Sequence, residues 1–148
     1  MDPDNRRDIE YALLQKALVE QDSCKLRLTK QLLCFRREYK KLFLEGEYLP
    51  LVVYKERREN CIAFLRRQEE EVVFIAAGRF FTQLPADPIG KEAWGETEII
   101  LSPDTEGEYV NVLTDKKIRP QKKGGRSFFH AADLFSDHPV AVLHRRFY

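Results

Sequence analysis

The chain has 148 residues, of which 43% are hydrophobic and 33% charged, and its formal net charge is +1. This composition is typical of a globular domain, and the balanced charge creates no overall field that would favour a nucleic acid or a membrane surface as partner. No apolar run approaches the roughly 20 residues of a spanning helix, and the charged, polar start is unlike a secretory signal, so we predict a cytoplasmic location.

Two helical segments come first along the chain. Apolar residues at Ile9, Leu13 and Ala17 follow the spacing of one helix face and predict a helix from Ile9 to about Gln21. The same periodicity is stronger from Lys25 to Leu44, and Gly46 is placed to end that helix as C-terminal glycines commonly do. The apolar stripe of the second helix contains Leu28, Leu32, Phe35, Tyr39 and Leu42.

After Gly46 the hydrophobic period changes from that of a helix to that of a strand. Short β-prone runs follow one another, separated by charged turns or turns that contain Gly and Pro. Several short strands at this spacing indicate an antiparallel sandwich or barrel. The predicted strands are 48–54, 61–66, 72–77, 97–101, 109–113, 127–129 and 140–143.

We therefore predict an α+β fold, with two N-terminal helices followed by an antiparallel β-sandwich or barrel-like C-terminal domain. The change of period places the domain boundary at Gly46. It separates a helical segment, residues 1–46, from an all-β domain, residues 47–148.

The residues that usually carry catalysis or bind metals form no recognisable motif. Cys24, Cys34 and Cys61 are widely spaced without a CxxC pair, which is typical of reduced thiols rather than of a disulfide framework or a zinc site. The three histidines lie in the last fifth of the chain, without an HExxH or nucleophile-elbow pattern. We therefore predict no catalytic residue, no metal ion and no cofactor.

A basic tract, DKKIRPQKKGGR, covers residues 115–126. Phosphate binding favours such a cluster of Lys and Arg, and stacking on nucleic-acid bases would need aromatic rings, which Phe128 and Phe129 could supply. A solvated turn in a chain of balanced charge accounts for the same residues. We expect no nucleic acid as partner.

Trp94, in the loop sequence KEAWGETEI, has two interpretations. An exposed indole could serve as a platform on which the apolar face of a sugar ring lies. A Trp followed by Gly at the start of a strand is also typical of a core residue that closes one end of a sandwich. Both interpretations stay open at the level of the sequence.

Four tracts in a fixed order carry a resemblance to a known family. They read DPDNRRDIEYALL, KLRLTKQLLCFRR, WGETEIILSP and DLFSDHPVAVL, and together they extend over nearly all 148 residues. In this order they resemble the C-terminal end of maltooligosyltrehalose synthases, which belong to the α-amylase superfamily. Asp8 is a departure, because the family usually has Pro there.

The resemblance implies a role for the chain within a larger enzyme. That family converts the reducing-end α-1,4 bond of a maltooligosaccharide into an α,α-1,1 bond by intramolecular transglucosylation, in trehalose biosynthesis. Its catalytic carboxylates lie in a (β/α)8 barrel upstream of the tracts found here, so we expect a non-catalytic C-terminal fragment. Asp2 and Arg6 match family positions that contact glucose units, and we expect them to bind substrate only in the full enzyme. A helix-entry ion pair is the alternative for these two residues.

The sequence indicates three partners, which are a missing barrel, a second copy of the chain and a maltooligosaccharide, and it leaves one alternative function open. The apolar stripe at Leu28, Leu32 and Phe35 predicts an interaction surface, for a missing barrel in cis or in trans or for self-association. A maltooligosaccharide is a further candidate ligand. The alternative function is a free-standing carbohydrate-binding or protein-interaction β module, whose sugar site would need Trp94 exposed together with tyrosines 48, 54 or 109.

Overall fold

The computed structural model describes residues 24–145. Helix α1 (Cys24–Glu38) belongs to one compact unit, and a second unit begins at Tyr39 with helix α2 (Lys40–Glu45). The single helix predicted for 25–44 is therefore broken at Tyr39, whose ring lies edge to face against His144 with centroids 4.6 Å apart. The predicted helix 9–21 lies outside the described residues.

Within the described residues, ten strands follow α2 and form two antiparallel sheets. Their bounds are β1 (Glu47–Pro50), β2 (Val53–Tyr54), β3 (Cys61–Gln68), β4 (Glu71–Gly78), β5 (Glu98–Leu101), β6 (Tyr109–Asn111), β7 (Lys117–Ile118), β8 (Gln121–Lys123), β9 (Arg126–His130) and β10 (Val140–Arg145). The strand order is β1-β3-β4-β10-β6-β7 in the six-stranded sheet and β2-β5-β9-β8 in the four-stranded sheet. The predicted α+β class with an antiparallel sandwich is confirmed, and the two sheets do not close into one barrel.

Short helices occupy the connections between strands. Helix α3 (Gly90–Trp94) precedes β5, and helix α4 (Ala131–Leu134) follows β9 without a gap. Single 3₁₀ turns lie at Arg58–Asn60, Phe81–Gln83 and Pro103–Thr105. Both α3 and α4 fall in stretches whose polar and small residues give too short a pattern to predict a helix.

The core lies between the two sheets because inward and outward side chains alternate along each strand. On β3 the inward residues are Cys61, Ala63 and Leu65, and all three are buried. Phe74 of the six-stranded sheet meets Phe129 of the four-stranded sheet edge to face, with ring centroids 5.1 Å apart. These aromatic rings join the two layers at the centre of the domain.

The predicted strand 48–54 is divided between the two sheets. The Leu51 N–H donates to the Ala63 carbonyl of the six-stranded sheet at 3.0 Å, whereas the Val52 carbonyl accepts from Ile100 of the four-stranded sheet at 3.0 Å. The chain therefore changes sheets between these two residues. Strands β7 and β8, in the basic tract, were not predicted because their side chains are mostly charged.

Candidate functional site

Trp94 ends helix α3 and closes one end of the sandwich. Its indole N–H donates to the Pro88 carbonyl at 3.0 Å, and its ring lies 4.7 Å from that of Phe135, centroid to centroid. The side chain has 0% of its surface exposed. The ring is therefore packed on all sides, and its one polar atom has a partner.

Two of the tracts that carry the family resemblance hold each other at this end of the domain. After Trp94, Gly95 turns the chain at φ +56°, and the Thr97 hydroxyl donates to the Trp94 carbonyl at 2.6 Å. The Thr97 carbonyl then accepts from Ala131 at 2.9 Å, and the Phe135 carbonyl accepts from the first residue of α3 at 2.9 Å. Together with the Trp94–Phe135 ring contact, these bonds, which involve residues flanking the tracts, join WGETEI and DLF into one structural unit.

The interpretation of Trp94 as a sugar platform is corrected by this environment. A sugar ring can lie only on an indole whose face is exposed, and Trp94 exposes none. Tyr109 is also fully buried, whereas Tyr48 and Tyr54 are exposed but belong to different sheets. The four rings are not brought together, and the alternative interpretation of Trp94, a core residue, describes what it contacts.

A buried arginine fixes the loop before β6, and sequence reasoning did not identify it. Arg145 is 5% exposed; its guanidinium donates to the Glu106 carbonyl and lies 5.8 Å from the centre of the Tyr109 ring. The Tyr109 hydroxyl donates to the Thr105 carbonyl in the same loop, and burial raises the pKa of this tyrosine to about 12. The group is positioned for structure rather than for proton transfer at neutral pH.

Glu98 is a second buried charge that the sequence pattern did not single out. Its side chain is 3% exposed on β5, and its Oε1 accepts from the Lys55 ammonium at 2.6 Å. The other carboxylate oxygen is buried and has no hydrogen-bond partner among the described residues. Because Glu98 is desolvated while Lys55 is 44% exposed, the attraction of the pair mainly offsets the cost of burying the carboxylate.

The predicted interaction surface on α1 combines buried and half-buried side chains. Leu28, Leu32 and Phe35 occupy positions i, i+4 and i+7, which one helix face presents together. Leu28 and Leu32 are half-buried and Phe35 is 8% exposed. The remaining predicted site residues, Asp2 and Arg6, lie outside the described part of the chain.

The basic tract is largely paired with carboxylates. Lys116 lies 2.7 Å from Asp137, and Lys122 lies 2.5 Å from Glu106. Glu108 accepts a hydrogen bond from Arg119 at 3.1 Å and lies 3.4 Å from Lys117. Four of the six cations of the tract thus pair with three carboxylates, which reduces the positive charge that the tract presents to a phosphate backbone.

Chemically reactive groups in the described part of the chain are dispersed. Cys34 is exposed on α1, whereas burial raises the pKa of the Cys61 thiol to about 12, which makes it unreactive. Across residues 24–145, no group of three or more His, Cys, Asp or Glu side chains could hold a metal ion. No helix in these same residues has the length and apolarity needed to cross a membrane.

No family model matches this chain. Maltooligosyl trehalose synthases from two strains of Mycobacterium tuberculosis, CDC 1551 / Oshkosh and ATCC 25618 / H37Rv, are each 29% identical to it over 147 residues, which are 98% of this chain and 17% of theirs. The chain therefore spans about a sixth of the length of these curated relatives.

Solved structures are also similar to the chain. A point variant of maltooligosyltrehalose synthase from Arthrobacter ramosus matches 97% of this chain and 18% of its own, with 26% identity and a TM-score of 0.68. A noncanonic maltogenic α-amylase from Thermotoga neapolitana shares the fold, with 16% identity, a TM-score of 0.57 and coverage of 84% of this chain and 26% of its own. The predicted resemblance to the C-terminal part of maltooligosyltrehalose synthases is confirmed over nearly the whole chain.

Proposed function

We propose that this chain acts as the non-catalytic C-terminal part of a maltooligosyltrehalose synthase, an intramolecular transferase (isomerase) of trehalose biosynthesis in the cytoplasm. One observation carries the proposal. Nearly the whole chain, 97–98% of it, matches a segment of only 17–18% of such enzymes, both in sequence and in fold. The structural unit formed by WGETEI and DLF supports it, because two tracts of the resemblance meet there.

The chemistry of the proposed reaction explains why this part would not catalyse alone. Retaining transfer at a glycosidic bond needs two carboxyl groups about 5 Å apart, which these enzymes would hold in a (β/α)8 barrel of roughly 250 residues. The described residues form antiparallel sheets instead. In this proposal residues 1–46 are the terminal helical segment of the barrel, residues 47–148 are the β domain, and Asp2 and Arg6 contact substrate only in the full enzyme.

Replacement of the matching segment in a relative tests the proposal. The Mycobacterium tuberculosis enzyme would be prepared intact, without its matching 147 residues, and with those residues replaced by this chain. We expect the truncated enzyme to lose conversion of maltohexaose into a non-reducing product, and the chimera to regain it. Loss of reducing ends measures the conversion.

Two variants of the chimera serve as matched controls. Trp94→Ala removes the buried ring that closes the sandwich and should abolish the regained activity, whereas Tyr48→Ala removes an exposed ring and should preserve it. Conversion of maltohexaose by the 148-residue chain alone would contradict the proposal. So would a truncated enzyme as active as the intact one.

The partner in this proposal is the catalytic barrel, supplied in cis or in trans. Without the barrel, we expect the isolated chain to associate with itself. The half-buried Leu28 and Leu32 on one face of α1 support the proposal, whereas Phe35 on the same face is already buried. We expect sedimentation velocity to show a concentration-dependent oligomer of the 148-residue chain that Leu28→Glu and Leu32→Glu shift towards monomer. A chain that stays monomeric at high concentration and binds no hydrophobic dye would count against it.

A further inference from the structure

A small cleft of about 130 Å³ opens between the turn after β6, strand β7 and helix α4. At ~30 Å³ per water molecule, this volume corresponds to roughly four waters, so the cleft can take only the edge of a small molecule. Its floor is apolar, formed by Ile118, Leu134 and Leu143, and Leu143 is fully buried. Polar side chains of Asn111, Thr114, Asp133 and Ser136 line the rest.

Asn111 contributes a hydrogen-bond donor to this cleft. The residue is 9% exposed, and its side-chain oxygen accepts from the Leu113 N–H at 2.9 Å. Because the oxygen is committed to that bond, the orientation of the amide is fixed. Its amino group has no hydrogen-bond partner among the described residues, so it can donate to a ligand in the cleft.

Asp133 contributes a hydrogen-bond acceptor to the cleft, and the charges around the cleft determine which kind of ligand can bind there. The carboxylate forms no ion pair with any described residue. The two lysines on the cleft wall are already paired: Lys116 lies 2.7 Å from Asp137 and Lys117 lies 3.4 Å from Glu108. Because Glu108 also pairs with Arg119, three cations around the cleft are balanced by three carboxylates, those of Asp133, Asp137 and Glu108. This balance favours a neutral group that donates and accepts hydrogen bonds over phosphate and other anions.

We propose that this cleft binds the hydroxyl edge of one neutral pyranose unit at the end of a saccharide. A sugar hydroxyl can donate to Asp133 while a neighbouring hydroxyl accepts from Asn111, and the C–H groups of the ring lie on Leu134 and Ile118. This combination of polar groups above an apolar floor is the usual composition of a small-molecule site. The choice of a maltooligosaccharide as the source of the pyranose rests on the proposed function.

The test is a titration of the ¹⁵N-labelled 148-residue chain with maltose, followed by amide chemical shifts. We expect saturable shifts confined to residues 111–118 and 133–136. Asp133→Asn should weaken binding about tenfold, because hydrogen bonds to charged groups contribute more than neutral ones. Asn111→Asp should weaken it at least as much, since it keeps the acceptor for Leu113 but replaces the amino donor with a second carboxylate oxygen.

Asp115→Asn is the matched control, because Asp115 lies in the same turn at φ +59°, where Asn is well tolerated, and does not line the cleft. It should keep the affinity of the unsubstituted chain. Unperturbed amide shifts in β3 and β4 would show that each variant is folded.

Several results would overturn the inference. These are shifts that do not saturate, shifts centred on Tyr48 or Tyr54, cleft variants that bind maltose as tightly as the unsubstituted chain, tighter binding of inorganic phosphate than of maltose, or equal affinity for glycerol. The chimera experiment measures conversion of reducing ends and changes no cleft residue. Failure of maltose binding with an active chimera therefore removes this inference alone, and the reverse result removes only the proposed function.

Discussion

Gly78 is the residue on which the packing of Trp94 depends. It ends strand β4 on the side that faces α3, and a Cβ added there would lie 2.7 Å from a Phe81 ring carbon and 3.0 Å from two carbons of the indole. Phe81 is partly exposed and could move, but Trp94 is enclosed and cannot. Glycine is required here for close approach of the ring rather than for its backbone freedom.

Gly78→Ala should therefore destabilise the domain by about 1–3 kcal/mol, the usual effect of overpacking a core. Urea unfolding followed by the fluorescence of Trp94, the only tryptophan in the chain, measures the change. Gly124→Ala is the comparison, because its added Cβ meets nothing within 4 Å. Any loss of stability in that variant comes only from the backbone conformation at φ +59°. A Gly78→Ala variant more stable than Gly124→Ala would show that the indole can shift.

At the scale of elements, one side chain organises the turn that follows β4. The Asn60 amino group lies 3.2 Å from the carbonyls of Arg79 and Phe80 and from the side-chain oxygen of Gln83. Phe80 has φ +54°, a left-handed conformation that a bulky residue rarely adopts. The buried amide of Asn60 thus holds a strained turn that leaves the rings at positions 80 and 81 exposed.

Asn60→Ala should release this turn while the sheets persist. The carbonyls of Arg79 and Phe80 lose their donor in a partly exposed turn, which costs about 0.5–1.5 kcal/mol per hydrogen bond. Hydrogen exchange should show faster opening at residues 79–84 than in the central strands. Gln83→Ala removes only one of the three contacts and should have the smaller effect; equal protection of the turn in all three proteins would contradict this account.

For the whole molecule, exposed ion pairs connect the loops to the sheets. The pKa of Asp104 is lowered by the Ser102 hydroxyl and by Arg67, and that of Glu106 by Lys122 and Ser127. The pKa of Glu108 is lowered by Arg119, and that of Asp137 by Lys116. These carboxylates are solvated, so each pair contributes little, and salt screens them.

The sign of the pH dependence follows from these lowered pKa values. A carboxylate whose pKa is lower in the folded state stabilises the fold above its unfolded pKa, about 4 for Asp and Glu, and loses that effect as the pH falls through the folded pKa. We expect a melting temperature that is nearly constant from neutral pH down to about 5 and decreases below 4. Thermal melts at low and high salt measure this decrease, which should be smaller in high salt. A melting temperature that rises on acidification would contradict the prediction.

Local periodicity determined much of this fold. The alternation along 61–66 and 72–77 identified β3 and β4, and the glycine at 46 marked the end of α2. Its N–H donates to the Leu42 carbonyl at 2.9 Å, although its backbone is extended rather than left-handed. These features depend on neighbours within a few residues, so the sequence contains the information directly.

Only the tertiary structure decided which distant side chains meet. Tyr39, where the helix breaks, contacts His144, and the buried Trp94 contacts Phe135, each more than 40 residues away in the chain. The cleft at Asn111 exists because α4 follows β9 beside a turn some 20 residues earlier in the chain. The hydrophobic pattern determines which residues avoid water, but it does not determine their partners, because partners separated by tens of residues are chosen by the packing of the sheets.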